Sequence, residues 1–361
     1  MMLSKETIRK MSSAWVVTAC TLIVIAVVLV TADTGTAAGK PMTVTELALY
    51  KGADRQEILE EGAKKEGKLI FYTTGTQAKH IVKAFQKKYP YIKVEIWRAS
   101  TNKLLPKVLE EHKVGRISSD VIGLTQAAEI VMEERGILQP FYSPELAYIE
   151  ENAIKKTAGG DAFSAGHFQS GISLGYNTEL IKKDQIPKTH RDLLDPKWKG
   201  KMPICGMMSG MHWMGGLLVT YGEDFVKQVA KQEFEVHMVS ARALLDMIVA
   251  GEYVFSPAIY DSHVNLGKKK GAPVDWIPLA PVSSNLGQIV LPKHSLRPHA
   301  AMLYIDFDLS KQAGEIYKAQ GYNSPRKDII TLRPYKKYYG FKSTEEVAKK
   351  TKLFNKLFLK K

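Results

Sequence analysis

At 361 residues and 40.3 kDa, the chain exceeds the size at which one hydrophobic core stops growing, so two lobes or domains are predicted. A hydrophobic content of 45%, a charged content of 24% and a mean hydropathy of −0.16 exclude a polytopic membrane protein. The net charge of +14 points first to an anionic partner, but ten Lys or Arg fall between Thr331 and Lys361, against Glu345 and Glu346 alone. A nucleic-acid site needs basic residues and stacking aromatics on one folded face, so a basic tail argues against nucleic acid.

Lys5, Arg9 and Lys10 precede the uncharged run Ala14 to Ala32, which is followed by small and polar residues. This order is that of a secretory signal over residues 1–38, cleaved after Ala37 or Ala38. The apolar run nearly matches a bilayer span, so an uncleaved membrane anchor is the alternative. Cleavage removes Cys20 and leaves Cys205 unable to form an internal disulfide. Cys205 is then expected to be a small buried hydrophobe.

From Ala53, "ADRQEILEEGAKKEG" predicts an amphipathic helix stopped by Gly67. "KLIFYTTG", "IKVEIWRA" and "SDVIGL" predict strands, separated by the helical runs "QAKHIVKAFQKKYP" and "NKLLPKVLEEHKVG" and followed by "AAEIVMEERGIL". This alternation is the pattern of a mostly parallel α/β sheet. "ISLGYN" is a candidate strand crossing between lobes. "HRDLLDPKWKGKMPIC" predicts a short helix, an Asp-Pro break and a strand. "GMMSGMHWMGGLLVTYG" is a glycine-rich entry into a buried helix, and "VSARALLDMIVAGEY" a helix ending at Gly251. "VDWIPLAPV" suits an edge or crossing strand. "HAAMLYIDFDLSKQAGEIYKAQGY" is helical with a break at Ser310, and "STEEVAKKTKLFNKLFLKK" predicts a solvated terminal helix.

No nucleophile elbow, phosphate-loop glycine pattern or zinc spacing is present, which favours binding over catalysis. Four strand-to-helix joints carry small polar residues: Thr73, Thr74, Gly75 and Thr76; Asn102; Thr125 and Gln126; and Ser209. Such joints present backbone N–H groups and hydroxyls at helix N-termini, and in an open α/β sheet they cluster where ligands bind. Their blander role is helix capping. A further cluster, "SPAIYDSHVN", brings Tyr260, Asp261 and His263 within four residues. These side chains suit a hard metal, an organic ligand or an ordinary strand end.

From about Ala53 to Arg326 the chain resembles the extracellular solute-binding proteins of ABC importers, in the group named for ferric-iron and small-organic-ligand binders. The resemblance rests on "EGKLIFYTTG", "FQKKYPYIKVEIWRA", "SDVIG", "LGYNTELI", "IPKTHRDLLDPKWKGKM", "ALLDMIVAGEYVFSPAIY", "KKKGAPVDWIPLAP" and "HAAMLYIDFDLS", in the family's order. It implies two α/β lobes joined by crossing strands, a type II periplasmic binding fold with the ligand between the lobes. Lobe 1 is expected over residues 53–175 and 276–300, lobe 2 over 176–275 and 301–330, with a basic tail at 331–361. The implied partners are a small-molecule ligand and an inner-membrane ABC permease, for a periplasmic monomer without a cofactor. Ferric binders of the family carry two adjacent tyrosines after the helix that "ALLDMIVAGEY" resembles, with a His and a Glu at the first and third joints. Here the pair reads Tyr260-Asp261, and Thr76 and Thr125 stand near the remaining positions. This substitution favours a small organic anion. The alternatives are Fe³⁺ held by Tyr260, Asp261 and His263 with an exogenous anion, an enzyme or sensor domain on the same scaffold, and a membrane-tethered interaction protein.

Overall fold

The computed structural model describes residues 43–332, 337–338 and 343–359. The predicted export segment lies outside the described residues. Three parallel strands, β1 (Lys68–Thr73), β2 (Lys93–Arg98) and β3 (Val121–Thr125), run in the order β2-β1-β3. Helices α1 (Val44–Leu49), α2 (Arg55–Glu66), α3 (Ala78–Lys88), α4 (Thr101–Lys113) and α5 (Gln126–Glu134) surround them. In β1, Leu69 and Phe71 face one core while Tyr72 faces another, as strand alternation requires when both sheet faces are covered. Gly67 ends α2 with φ 61°, a left-handed cap that glycine adopts without steric cost.

After short strands β4 (Leu138–Gln139) and β5 (Ile154–Lys156), the 16-residue β6 (Ala162–Asn177) leaves this lobe. Ala162, Ala165 and Phe168 belong to the first core, whereas Ile172, Leu174 and Tyr176 belong to the second. The crossing therefore falls at Gln169–Gly171, just ahead of the expected "ISLGYN" segment. The second lobe contains β7 (Pro203–Cys205), α6 (Met208–Tyr221), α7 (Glu223–Ala230), β8 (Glu235–His237), α8 (Ala241–Val249), β9 (Phe255–Tyr260), α9 (Asp261–Lys269) and β10 (Val274–Ile277). Trp213, Met214 and Leu217 of α6 pack on β6 and β9 from one side, and Leu244, Leu245 and Ile248 of α8 fill a separate core. Cys205 is buried and free, as expected, with its thiol directed at the Val239 carbonyl at 3.0 Å.

The return strand is β11 (Val282–Pro292), antiparallel to both β6 and β3. The expected strand "VDWIPLAPV" stops at Ile277 in β10, an edge neighbour of β6. After β11 come α10 (Pro298–Leu309) and α11 (Lys311–Ala319), whose boundary at Ser310 matches the expected break. Their location differs from the expected lobe 2 assignment of 301–330. Tyr304 lies 4.8 Å from Phe71 and 5.1 Å from Phe85, ring centre to ring centre, inside the first lobe's core. Glu66 of α2 accepts from the Ala300 amide at 2.8 Å, and Arg55 pairs with Asp306 at 2.5 Å. The physical reason is that β11 carries the chain back through the sheet before α10 begins. Finally β12 (Lys337–Tyr338) pairs with β11, and α12 (Thr344–Phe358) follows. The terminal helix is not merely solvated, because Phe354 and Phe358 are buried in the second lobe's core.

Candidate ligand cleft

The first joint, after β1, is held from within. Thr73 is 2% exposed and its hydroxyl accepts from the Gly75 amide at 2.9 Å, while the Thr74 amide donates to the Gly123 carbonyl at 2.9 Å. Thr73 thus shapes the turn, and Thr76 is the residue the turn exposes. The second joint leaves Asn102 exposed in the first turn of α4.

The third and fourth joints meet. Met208, the first residue of α6, packs with Ala127 and Ile130 of α5, so the first turns of two helices from different lobes touch. Neither N-terminus has a side-chain cap: Thr125 and Met207 occupy the cap positions without making the bond. The Thr125 hydroxyl and the hydroxyl of Ser209, a residue 3% exposed, are buried without a hydrogen-bond partner among the described residues. Gln126 is half-buried beside them. Two uncapped N-termini with orphan hydroxyls form an electropositive, donor-rich pair of surfaces.

The strand end at β9 supplies Tyr260, a mostly buried side chain that precedes α9. Burial raises its phenol pKa well above the ordinary range, with smaller effects from Cys205 and Tyr322. Its ring lies 5.1 Å from that of His263, edge to face. Asp261 is turned away into the crossing: its carboxylate accepts from the Ser170 hydroxyl at 2.7 Å and from the Gly171 amide at 3.0 Å. His263 lies against α8, where burial and Arg242 lower its pKa to about 4. Tyr260, Asp261 and His263 therefore do not converge. Among the described residues no three His, Cys, Asp or Glu side chains gather to hold a metal ion.

Sequence reasoning missed Tyr322, Ser262 and Ser170. Tyr322 belongs to the first lobe's core, and its hydroxyl lies 3.2 Å from that of Thr76. The phenol pKa is raised by burial and lowered in part by hydrogen bonding to Thr76 and to Ser262 of the second lobe. Ser262 in turn lies 2.7 Å from Ser170, hydroxyl to hydroxyl. Gly321, at φ +88°, allows this approach, because a Cβ there would stand 2.9 Å from Cβ of Asn265 and 3.2 Å from the Ser262 carbonyl. That glycine, in "KAQGYN", is the one local signal for the turn.

Two α/β lobes joined by crossing strands, with polar helix starts facing one another between them, define a two-lobed binding protein. Residues 131–337 match the family described as bacterial extracellular solute-binding protein, and the chain belongs to that family. An uncharacterised protein of Haemophilus influenzae is 27% identical over 285 residues, covering 72% of this chain and 78% of its own length. Among solved structures, iron-bound HitA from Pseudomonas aeruginosa superposes with a TM-score of 0.68 at 19% identity, covering 80% of this chain and 99% of its own. The periplasmic binding protein AfuA from Actinobacillus pleuropneumoniae, with exogenous fructose-6-phosphate bound, gives 0.66 at 21% identity, covering 81% and 99%. These likenesses, over 80% and 81% of this chain, show the two-lobed fold. Among the described residues no helix is long and apolar enough to cross a membrane.

Proposed function

We propose that the protein captures a small organic anion between its lobes and delivers it to the permease of an ABC importer. The observation that carries this reading is the contact between the uncapped helix starts of α5 and α6, with the buried hydroxyls of Thr125 and Ser209 unpartnered among the described residues. An anion there would accept from amides that otherwise have no acceptor within their helix and from hydroxyls already withdrawn from water. Ligand contact with both lobes would favour the engaged state over a more open one, and the permease would read that state. The protein would act by binding rather than turnover, as a periplasmic monomer, either free or held by its N-terminal segment, and would not engage nucleic acid.

A thermal-shift screen of ligand-stripped protein against sugar phosphates, di- and tricarboxylates, amines and ferric salts tests the reading. A ligand at a hundred times its dissociation constant stabilises by about 2.7 kcal/mol, which moves the melting point by several degrees. Stabilisation by amines alone, or by no compound, would overturn the anion reading.

The second reading is ferric cargo, favoured by a second phenol, Tyr322, whose neighbour Gly321 stands against Ser262, two residues from Tyr260. Phenolates suit a hard trication, and an exogenous anion at the helix starts would complete the coordination. A visible charge-transfer band on adding ferric citrate, lost in Tyr260→Phe, would establish it.

A further inference from the structure

We infer that α12 is an interlobe clasp, anchored in the second lobe and gripping the first beside the candidate cleft. The helix is locally self-sufficient. The Ser343 hydroxyl caps it by accepting from the Glu346 amide at 3.2 Å, Glu345 and Glu346 fill its first turn, and Lys356 its last. Val347, Thr351, Phe354 and Phe358 lie on one stripe, spaced for a single helix face.

That stripe touches both lobes. At its C-terminal end Phe354 is 0% exposed and Phe358 4%, their rings stacked at 5.1 Å. Phe358 lies 5.6 Å from Phe234 and 6.1 Å from Trp213. Phe354 presses on Gly210, where a Cβ would stand 3.2 Å from its ring, immediately after Ser209. At the N-terminal end the attachment is to the first lobe. The Thr344 amide donates to Glu134, the last residue of α5, at 3.1 Å, and the Thr344 hydroxyl bonds the same carboxylate. Val347 then packs with Ala127 and Ile130 of α5 together with Met208 of α6.

The two attachments differ in kind. Two buried phenylalanines hold the helix to the second lobe, whereas one exposed carboxylate and one partly buried valine hold it to the first. When the lobes separate, the weaker attachment releases and α12 moves with the second lobe. When they meet, it closes over the helices whose N-termini form the candidate cleft. The clasp does not depend on which solute is bound.

The test uses full-length protein carrying Cys20→Ser, with spin labels on Glu61→Cys and Lys227→Cys, one exposed site per lobe, Cys205 being 1% exposed. Interlobe distances are measured without ligand in the otherwise unchanged protein, in Glu134→Ala and in Val347→Ala. Each variant is expected to shift the engaged-to-open ratio about tenfold toward open, equivalent to about 1.4 kcal/mol. Circular dichroism on both variants confirms an intact fold, which the surface position of Glu134 favours. Unchanged distance distributions in two folded variants would overturn the clasp, and the thermal-shift screen would still test the solute reading separately. Phe354→Ala is the contrasting control: it is expected to lower the melting temperature, and a Glu134→Ala loss as large as that of Phe354→Ala would overturn the proposed asymmetry.

Discussion

The hydroxyl of Tyr322 lies 3.2 Å from that of Thr76, so a residue following α11 touches the turn that follows β1. Its neighbour Gly321 stands against Ser262 of the second lobe, so Tyr322 sits where the first turn meets α9. Tyr322→Phe removes the hydrogen bond to Thr76 while keeping the ring packed against Phe168. We expect a loss of about 1 kcal/mol in unfolding free energy and weaker solute binding, measured by urea melts and calorimetry on the same preparation. Unchanged affinity would remove Tyr322 from the binding reading.

Ser209→Ala and Thr125→Ala should separate binding from stability. Each deletes a buried hydroxyl that has no hydrogen-bond partner among the described residues. Losing an unsatisfied polar atom is neutral or slightly stabilising, whereas losing a ligand hydrogen bond costs about 1 kcal/mol. The expected pattern is an unchanged or raised melting temperature with affinity about fivefold weaker. Lower stability with unaltered binding would mean that both hydroxyls are merely packed.

Asp261→Asn should behave in the opposite way. The Ser170 hydroxyl and the Gly171 amide donate to the same carboxylate oxygen, Oδ1, and Asn removes the negative charge that strengthens both bonds. A destabilisation of about 1–3 kcal/mol is expected from chemical denaturation. A stability loss near zero accompanied by abolished binding would return Asp261 to the ligand.

Glu129 provides a pH signature. It is 1% exposed on α5, and burial, with repulsion from Glu133, raises its pKa to about 7. The folded state therefore holds a proton that the unfolded state has already released between about pH 4.5 and 7. Stability from this group is present at and below about pH 4.5 and declines as pH rises through 7, by an amount on the order of 3 kcal/mol. Glu129→Gln should flatten that slope and be more stable than the unaltered protein at pH 8. Urea melts of both proteins at pH 5, 6, 7 and 8 measure it, and parallel curves would exclude Glu129 as the source.

The joints after β1 and β3 and at the start of α6 were legible in the sequence because strand alternation, helical spacing and small polar joints are local properties. Ser310 was legible as a break for the same reason, and it caps α11 by accepting from the Ala313 amide at 3.3 Å. "VSSNLGQIVLP" was not read as a strand. Its serines and glycine carry no apolar alternation, and it becomes β11 because β3 and β6 offer it partners on both sides. The reading ended the first lobe at residue 300, which placed Tyr304 and the rest of α10 from Ala301 onward in the second lobe.

From residue order alone came the alternating α/β architecture, the preference for binding over catalysis, the polar strand-to-helix joints and the resemblance to solute-binding proteins. Tertiary structure decided that Asp261 serves the crossing, that Thr73 faces inward, that Tyr322 reaches Thr76 across 246 residues and that α12 contacts both lobes. The reason is one of range. Backbone geometry and side-chain periodicity act over a few residues. Which hydroxyl is left without a partner, and which helix starts face each other, depends on how distant segments pack.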